Sequence, residues 1–147
     1  MIMSEIILAH STHLPLVAEL EKETFFEPWS EKSLELFITK DAFCALCMDG
    51  YKLASYCTVT TVLDEAQIIN VATSRLYRGM GKASAVLEFV FDECKRRKIT
   101  SISLEVRESN IAAISLYEKL GFAVAGKRKD FYKNPRESAL VMIKNLD

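Results

Sequence analysis

Specialised residues are scarce in this chain of 147 residues. Cysteine occurs four times, at Cys44, Cys47, Cys57 and Cys94, each within an apolar run, which is too few for a small secreted scaffold held by disulfides and fits reduced thiols. Glycine and proline number five and three, and no Pro/Gly/Ser-rich linker, low-complexity tract or internal repeat divides the chain. The expectation is therefore a single domain over residues 1–147, large enough to bury its own core. No charge dominates: 19 basic against 20 acidic residues leave a formal net charge of -1, and that balance offers nothing to attract nucleic acid. No stretch approaches the roughly 20 apolar residues of a membrane span, and the opening "MIMSEIILAHS" has no basic leader and too short an apolar run for export. A cytoplasmic protein, without a membrane or direct nucleic-acid partner, is expected.

Metal chemistry finds no support either. Cys44 and Cys47 form a CxxC, but no second thiol pair or histidine follows at metal-ligand spacing. Three apart on a strand, the two would face opposite sides, which reads as core packing. His10 and His13 lie in the opening segment, far in sequence from every other polar cluster, and receive no ligand or catalytic role.

What is present is periodicity. Residues 3–11 read as a strand. "THLPLVAELEKETF" places Leu16, Val17, Leu20 and Phe25 at helical spacings, with Thr12 as cap and Pro15 in the first turn. After "EPWS", Ser30 opens a second helix in partial imitation of a capping box with Ser33. "AFCALCMDGYKLASYCTVTTV" is two β-rich runs about Asp49-Gly50, a hairpin signal, and "EAQIINVAT" is a third run. In "ASAVLEFVFDECKRRK" the residues Val86, Leu87, Val90, Phe91 and Cys94 share one helical face, and the basic run from Lys95 to Lys98 complements the helix dipole. "TSISLEVRES" alternates strictly, with Ile102, Leu104 and Val106 on one side and Ser101, Ser103, Glu105 and Arg107 on the other. "NIAAISLYEKLGF" is a short helix closed by Gly121, and two strands joined around Asn134-Pro135 finish the chain. An α/β (α+β) fold follows: a mixed, mostly antiparallel sheet with helices on both faces.

Between the third β run and the long helix lies "RGMGKA", residues 78–83. The first N–H groups of a helix lack partners within it, and its dipole favours an anion there. Gly79 and Gly81 give the backbone freedom, Ala83 keeps the first turn unobstructed, and Arg78 and Lys82 add positive charge. Neither the Walker spacing GxxxxGK[ST] nor the dinucleotide fingerprint GxGxxG is met; Ser84 stands where the latter needs its third glycine. Taken alone, the loop reads equally as a tight structural turn or a phosphate cradle.

"RGMGKA" fills the (Q/R)-x-x-G-x-(G/A) cofactor loop of the GNAT family of acetyl-CoA-dependent N-acetyltransferases, with Arg78, Gly81 and Ala83 at its fixed positions. "NVAT" lies just upstream and "LEVRESNIAAISLYEKLGF" at the family's usual distance downstream. With "EPWSEKS", "LDEAQIINVAT" and "KRKDFY" in the same order, the chain resembles that family over nearly its whole length. It resembles above all the RimI-type branch, whose members acetylate the N-terminal alanine of a small-subunit ribosomal protein. The resemblance implies acetyl-CoA as cosubstrate and a protein N-terminus as acceptor, with no metal. It implies that the backbone of Val71, Ala72 and Thr73 pairs with the pantetheine arm like an added strand. The amides of Gly79, Met80, Gly81, Lys82, Ala83 and Ser84, beside Arg78, would hold the pyrophosphate. Asn110 would contact the cofactor, Glu105 accept a proton and Tyr117 donate one.

Those residue types suit the chemistry. An α-amino group of pKa about 7.7–8.0 must lose a weakly held proton before it attacks a thioester, and a carboxylate can take it. The departing thiolate resembles a cysteine of pKa about 8.5, which a phenol can protonate or hydrogen-bond as charge develops. Each residue also has a purely structural reading: Glu105 in a surface ion pair with Arg107, Tyr117 as a core tyrosine, Asn110 as a helix N-cap. For the acceptor, "FFEPWSEKS" and "RKDFYKNPRES" would frame a groove with Trp29, Phe131 and Tyr132, while Glu27, Glu31 or Asp130 attracts the ammonium; Trp29 reads equally as packing between helices. Two competing functions remain at this level: an acetyltransferase of a small-molecule amine, and a catalytically silent acyl-CoA-binding module.

Overall fold

The computed structural model describes residues 4–147. Along the chain run β1 (Ser4–Leu8), α1 (Leu14–Thr24), β2 (Ala42–Asp49), β3 (Lys52–Val62), β4 (Glu65–Thr73), α2 (Lys82–Arg96), β5 (Ser101–Arg107), α3 (Ile111–Lys119), β6 (Ala123–Lys133) and β7 (Arg136–Asn145). Short 3₁₀ turns occupy Ser11–His13, Ser33–Ile38 and Arg75–Tyr77. The first strand of the sequence reading started at Met3, which lies outside the described residues.

The strands form one sheet in the order β1-β2-β3-β4-β5-β7-β6. Every pairing is antiparallel except β4 with β5. Gly50, at φ 61, makes the hairpin between β2 and β3 that Asp49-Gly50 announces. Helices cover both faces, as expected. On one, Val86, Leu87, Val90, Phe91 and Cys94 of α2 pack on Cys47, Cys57, Val59, Ile102 and Leu104 of the sheet. Each such buried side chain contributes about 1.5–3 kcal/mol relative to exposure. On the other, Leu14, Val17 and Leu20 of α1 join Leu34 and Phe37 over Cys44, Leu46 and Tyr56. Cys44 and Cys47 therefore belong to opposite cores, and all four cysteines are free and buried; burial pushes the Cys94 thiol up to about 12, so it is no nucleophile at neutral pH.

Two local expectations fail for identifiable reasons. Thr12 does not cap α1, because the chain already turns as 3₁₀ through Ser11–His13 and delivers His13 to the helix start at φ -89, ψ -15 with no side-chain cap. The histidine instead accepts, at Nδ1, the backbone N–H of His10 at 2.9 Å. The second helix is a six-residue 3₁₀ segment, although Ser30 Oγ does accept the N–H of Ser33 at 3.0 Å. Its buried residues are Leu34 and Phe37, three apart, whereas Leu36 and Ile38 are exposed; a period of three stacks i and i+3 on one side, as a 3₁₀ turn requires.

The end of α3 follows its sequence signals closely. Gly121, at φ 98, sends its N–H to Glu118 O at 3.1 Å, and Phe122 sends its own to Tyr117 O at 2.9 Å. That pair of bonds is a Schellman closure.

Candidate active site

The parallel pair β4–β5 governs the site. These strands pair only through Glu65–Gln67 against Ser101–Ser103, though β4 continues to Thr73 and β5 to Arg107. The divergence coincides with a bulge: Thr58 of β3 faces Asn70 while the next residue, Val59, faces Ile68, leaving Ile69 extra. A bulge bends its strand and strengthens the local twist. Beyond it, β4 keeps β3 on one side, and the edge of residues 70–73 toward β5 has no strand partner among the described residues. β5 meanwhile pairs with β7 along all seven residues.

A cleft of about 1010 Å³ fills the divergence. Gln67–Val71 of β4 and Leu104–Arg107 of β5 form two walls, Asn110 and Tyr117 come from the start and middle of α3, and Thr24–Glu27, Trp29 and Phe131–Asn134 close the rim. The carboxyl ends of neighbouring parallel strands are where open α/β sheets bind ligands.

Glu105 sits on the polar side of β5, its side chain 14% exposed. The sequence suggested an ion pair with Arg107; the structure gives both residues other partners. Glu105 Oε1 accepts from Gln67 Nε2 at 3.1 Å. Arg128 Nε lies 3.2 Å from Oε2 as an ion pair, but without hydrogen-bond alignment, so this buried oxygen accepts no hydrogen bond among the described residues. Arg107 turns away to Glu137 Oε1 at 3.2 Å and to the carbonyls of Pro135 and Asn134 at 2.8 and 3.2 Å, with its guanidinium over the Tyr132 ring. Side chains two apart on a strand stand about 6–7 Å apart, and cross-strand partners come closer.

Tyr117 is half-buried and stacks edge-on against Phe122, ring centroids 5.7 Å apart. Burial, and secondarily Cys57 and Tyr132, push its phenol well above the ordinary value, so it is protonated at neutral pH. Its hydroxyl makes no hydrogen bond among the described residues. Asn110 is an N-cap, Oδ1 accepting the N–H of Ala113 at 3.2 Å, and it also lines the cleft.

A second cavity, about 280 Å³, opens at the head of α2 between Thr73, Tyr77, Arg78, Gly79, Gly81, Lys82, Ala83, Ser84 and Leu116. Met80 lies outside its lining and is 62% exposed. Gly79 and Gly81 hold φ 77 and 74, a left-handed conformation that glycine adopts without steric cost. Gly81 is itself the N-cap of α2 and, having no side chain, gives no cap to the first N–H groups of this 15-residue helix, and an anion is the natural complement. Arg78 Nε donates to Thr73 O at 3.4 Å. The turn before the loop is moored by Tyr77, whose hydroxyl donates to Asp49 Oδ2 at 2.6 Å; that bond is the main reason its phenol is shifted upward.

The rim residues divide. Trp29, Phe131, Tyr132 and Glu27 line the cleft, whereas Glu31 and Asp130 do not. Trp29 serves both readings offered for it, since it also stacks edge-on against Phe37 at 5.1 Å. Sequence reasoning passed over Gln67, Asn70 and Arg128, and above all Glu21, which is fully buried in α1. Its signal was legible: a carboxylate one turn after Val17, on the apolar face.

These features coincide with a known class. The acetyltransferase (GNAT) family pattern matches residues 14–122, and the chain belongs to that family. It is similar to the [ribosomal protein bS18]-alanine N-acetyltransferase of Escherichia coli (strain K12), with 35% identity over 142 residues that span 95% of this chain and 96% of that one. The crystal structure of the ribosomal-protein-S18-alanine N-acetyltransferase from Escherichia coli superposes with a TM-score of 0.91 at 34% identity, over 99% of this chain and 95% of the other. The same fold recurs in a chain of the NatC complex bound to Gag peptide and CoA, at TM-score 0.83 and 20% identity over 98% and 99% of the two chains. Among the described residues no helix is long and apolar enough to cross a membrane, and no cluster of three or more His, Cys, Asp or Glu could hold a metal.

Proposed function

We propose that this protein transfers the acetyl group of acetyl-CoA to the N-terminal amino group of a protein, namely the N-terminal alanine of ribosomal protein bS18. The observation that carries the reading is that Glu105, Tyr117 and Val71, at the edge freed by the bulge, line one cleft. The acceptor is carried over from the similarity to the Escherichia coli enzyme, which extends across 95% of the chain.

The residues present fit acetyl-CoA. The uncapped head of α2, its left-handed glycines and the flanking Arg78 and Lys82 suit a pyrophosphate. The free edge of Val71, Ala72 and Thr73 offers main-chain groups to the amides of a pantetheine arm, and Asn110 borders the same path. The thioester supplies an activated acetyl group. Glu105 takes the proton of the acceptor ammonium, directly or through water; nitrogen then bonds to the acyl carbon as the carbon–sulfur bond breaks. Backbone N–H groups near Val71 to Thr73 stabilise the developing oxyanion, and Tyr117, kept protonated by burial, donates to the departing sulfur. The attacking nitrogen sheds its second proton to solvent as the amide forms, the phenol is reprotonated from solvent, and Glu105 releases its proton there, so that one proton is released overall.

The test is to incubate the protein with acetyl-CoA and a panel of peptides beginning with Ala, Ser, Met or Gly, beside polyamines and free amino acids, and to weigh the products. Acetylation of the bS18 N-terminal peptide at its α-amine, well above the free amines, is expected. Transfer to free amines alone would overturn the acceptor, and no transfer to any amine would overturn the enzyme reading.

A further inference from the structure

We infer that Glu21 is a positioning residue for the acceptor side of the cleft, clamping the Trp29 rim to the bulge of β4. The inference rests on the acetyl-transfer reading for its kinetic consequence, though not for its geometry. Glu21 is fully buried, and three elements converge on its carboxylate. Oε1 accepts the backbone N–H of Trp29 at 2.9 Å; Oε2 accepts Nδ2 of Asn70 at 2.8 Å and the hydroxyl of Tyr56. Trp29 and Asn70 both line the cleft, whereas Tyr56 and Glu21 touch it nowhere.

Core filling does not account for this residue. Burying a carboxylate costs several kcal/mol before its partners are counted, and apolar replacements of buried polar groups are often neutral or stabilising. What a leucine cannot do is hold an immobile backbone N–H and two side-chain donors at once. The donors come from the segment after α1, from β3, and from Asn70 beside the extra residue Ile69, where β4 leaves β5. The clamp therefore sets the separation between the rim that meets the acceptor and the strand edge that meets the acyl group. The phosphate cavity at the head of α2 shares no residue with it.

The chain has a single tryptophan, so fluorescence reports on the rim without any acceptor present. In Glu21→Leu the peptide KM is expected to rise about tenfold or more while the Kd for acetyl-CoA stays within about twofold. Acrylamide quenching of Trp29 should increase. Glu21→Gln keeps an acceptor for the Trp29 N–H and is expected to restore KM to within about threefold of the parent. A Leu variant with unchanged KM and quenching would overturn the inference, as would parallel losses for peptide and acetyl-CoA, which mark a merely structural role. If the Leu variant does not fold, Tyr56→Phe decides: it removes one donor outside the cleft, and unchanged peptide KM and Trp29 quenching would refute the clamp. Should the parent acetylate no peptide, the function fails, and quenching in these variants still decides the geometry.

Discussion

Replacing Glu105 by glutamine separates a proton acceptor from a structural carboxylate. Glutamine keeps the volume and an amide oxygen, so the bond from Gln67 Nε2, now 3.1 Å long, can persist. The lost ion pair is to Arg128, whose side chain is 61% exposed; solvent screening limits such a pair to about 0–1 kcal/mol. Oε2 accepts no hydrogen bond among the described residues, so none is forfeited there. Against a typical stability of about 5–15 kcal/mol, a loss of about 1 kcal/mol leaves the protein folded. General-base catalysis, by contrast, contributes about 10²–10⁴-fold, or roughly 2.7–5.4 kcal/mol of barrier. Glu105→Gln should therefore melt within a few degrees of the parent and bind acetyl-CoA with similar affinity, yet turn over at least about a hundredfold more slowly. Thiol release followed on an alanine-initiated peptide, with calorimetric titration of acetyl-CoA and a thermal melt, measures all three. A kcat within about threefold of the parent, in a protein equally stable, would refute the assignment of Glu105 as base.

Tyr117→Phe removes a hydroxyl that bonds to nothing among the described residues, so stability should change by no more than about 0.5 kcal/mol, while kcat falls about 10²–10³-fold if the phenol stabilises the leaving sulfur; a fall in acetyl-CoA affinity as large as the fall in turnover would contradict that role. Gly81→Val places a β-branched residue at φ 74, where its Cβ meets no protein atom within 4 Å. The penalty is thus about 1–3 kcal/mol of backbone strain plus a side chain at the cavity proposed for the pyrophosphate, and calorimetry should show acetyl-CoA affinity reduced about tenfold or more; an unchanged titration counts against the cradle. Acid should destabilise the fold through Glu93 and Glu137. Burial of Glu93 is outweighed by its bonds and charge contacts to Arg97 and Arg96, and Glu137 is held chiefly by hydrogen bonding to Ser109, with Arg107 assisting, so both carboxyls sit below their ordinary 4.5. The unfolded chain then binds more protons than the folded one as pH drops through that value, so the stability they confer is present above about pH 4.5 and lost below it. Melting temperatures from pH 6 to 3 should fall less steeply in Glu93→Gln than in the parent, and equal slopes would dismiss Glu93 as a source.

Much of this molecule is written locally. The apolar face of α2, the strict alternation of β5, the Asp49-Gly50 hairpin, the Asn110 cap and the Gly121 closure each follow from spacings within a dozen residues, because helix and strand periods and φ requirements act over that range. The position of the glycine turn, between a strand and a long helix, was legible for the same reason. The winding of residues 33–38 was not, since burial of Leu34 and Phe37 against other elements selects a 3₁₀ period over an α period. Nor could one chain of letters show that β4 and β5 part after three pairs, that Arg128 rather than Arg107 stands beside Glu105, or that Glu21 gathers donors from three elements. Strand order and cross-strand neighbours depend on contacts between residues 20 to 50 positions apart, whose closure entropy and packing are settled only when the whole sheet assembles. Residue types thus suggested a proton acceptor, a proton donor and an anion site, and the splayed sheet decided that Glu105 and Tyr117 line one cleft, with the glycine turn at a cavity of its own.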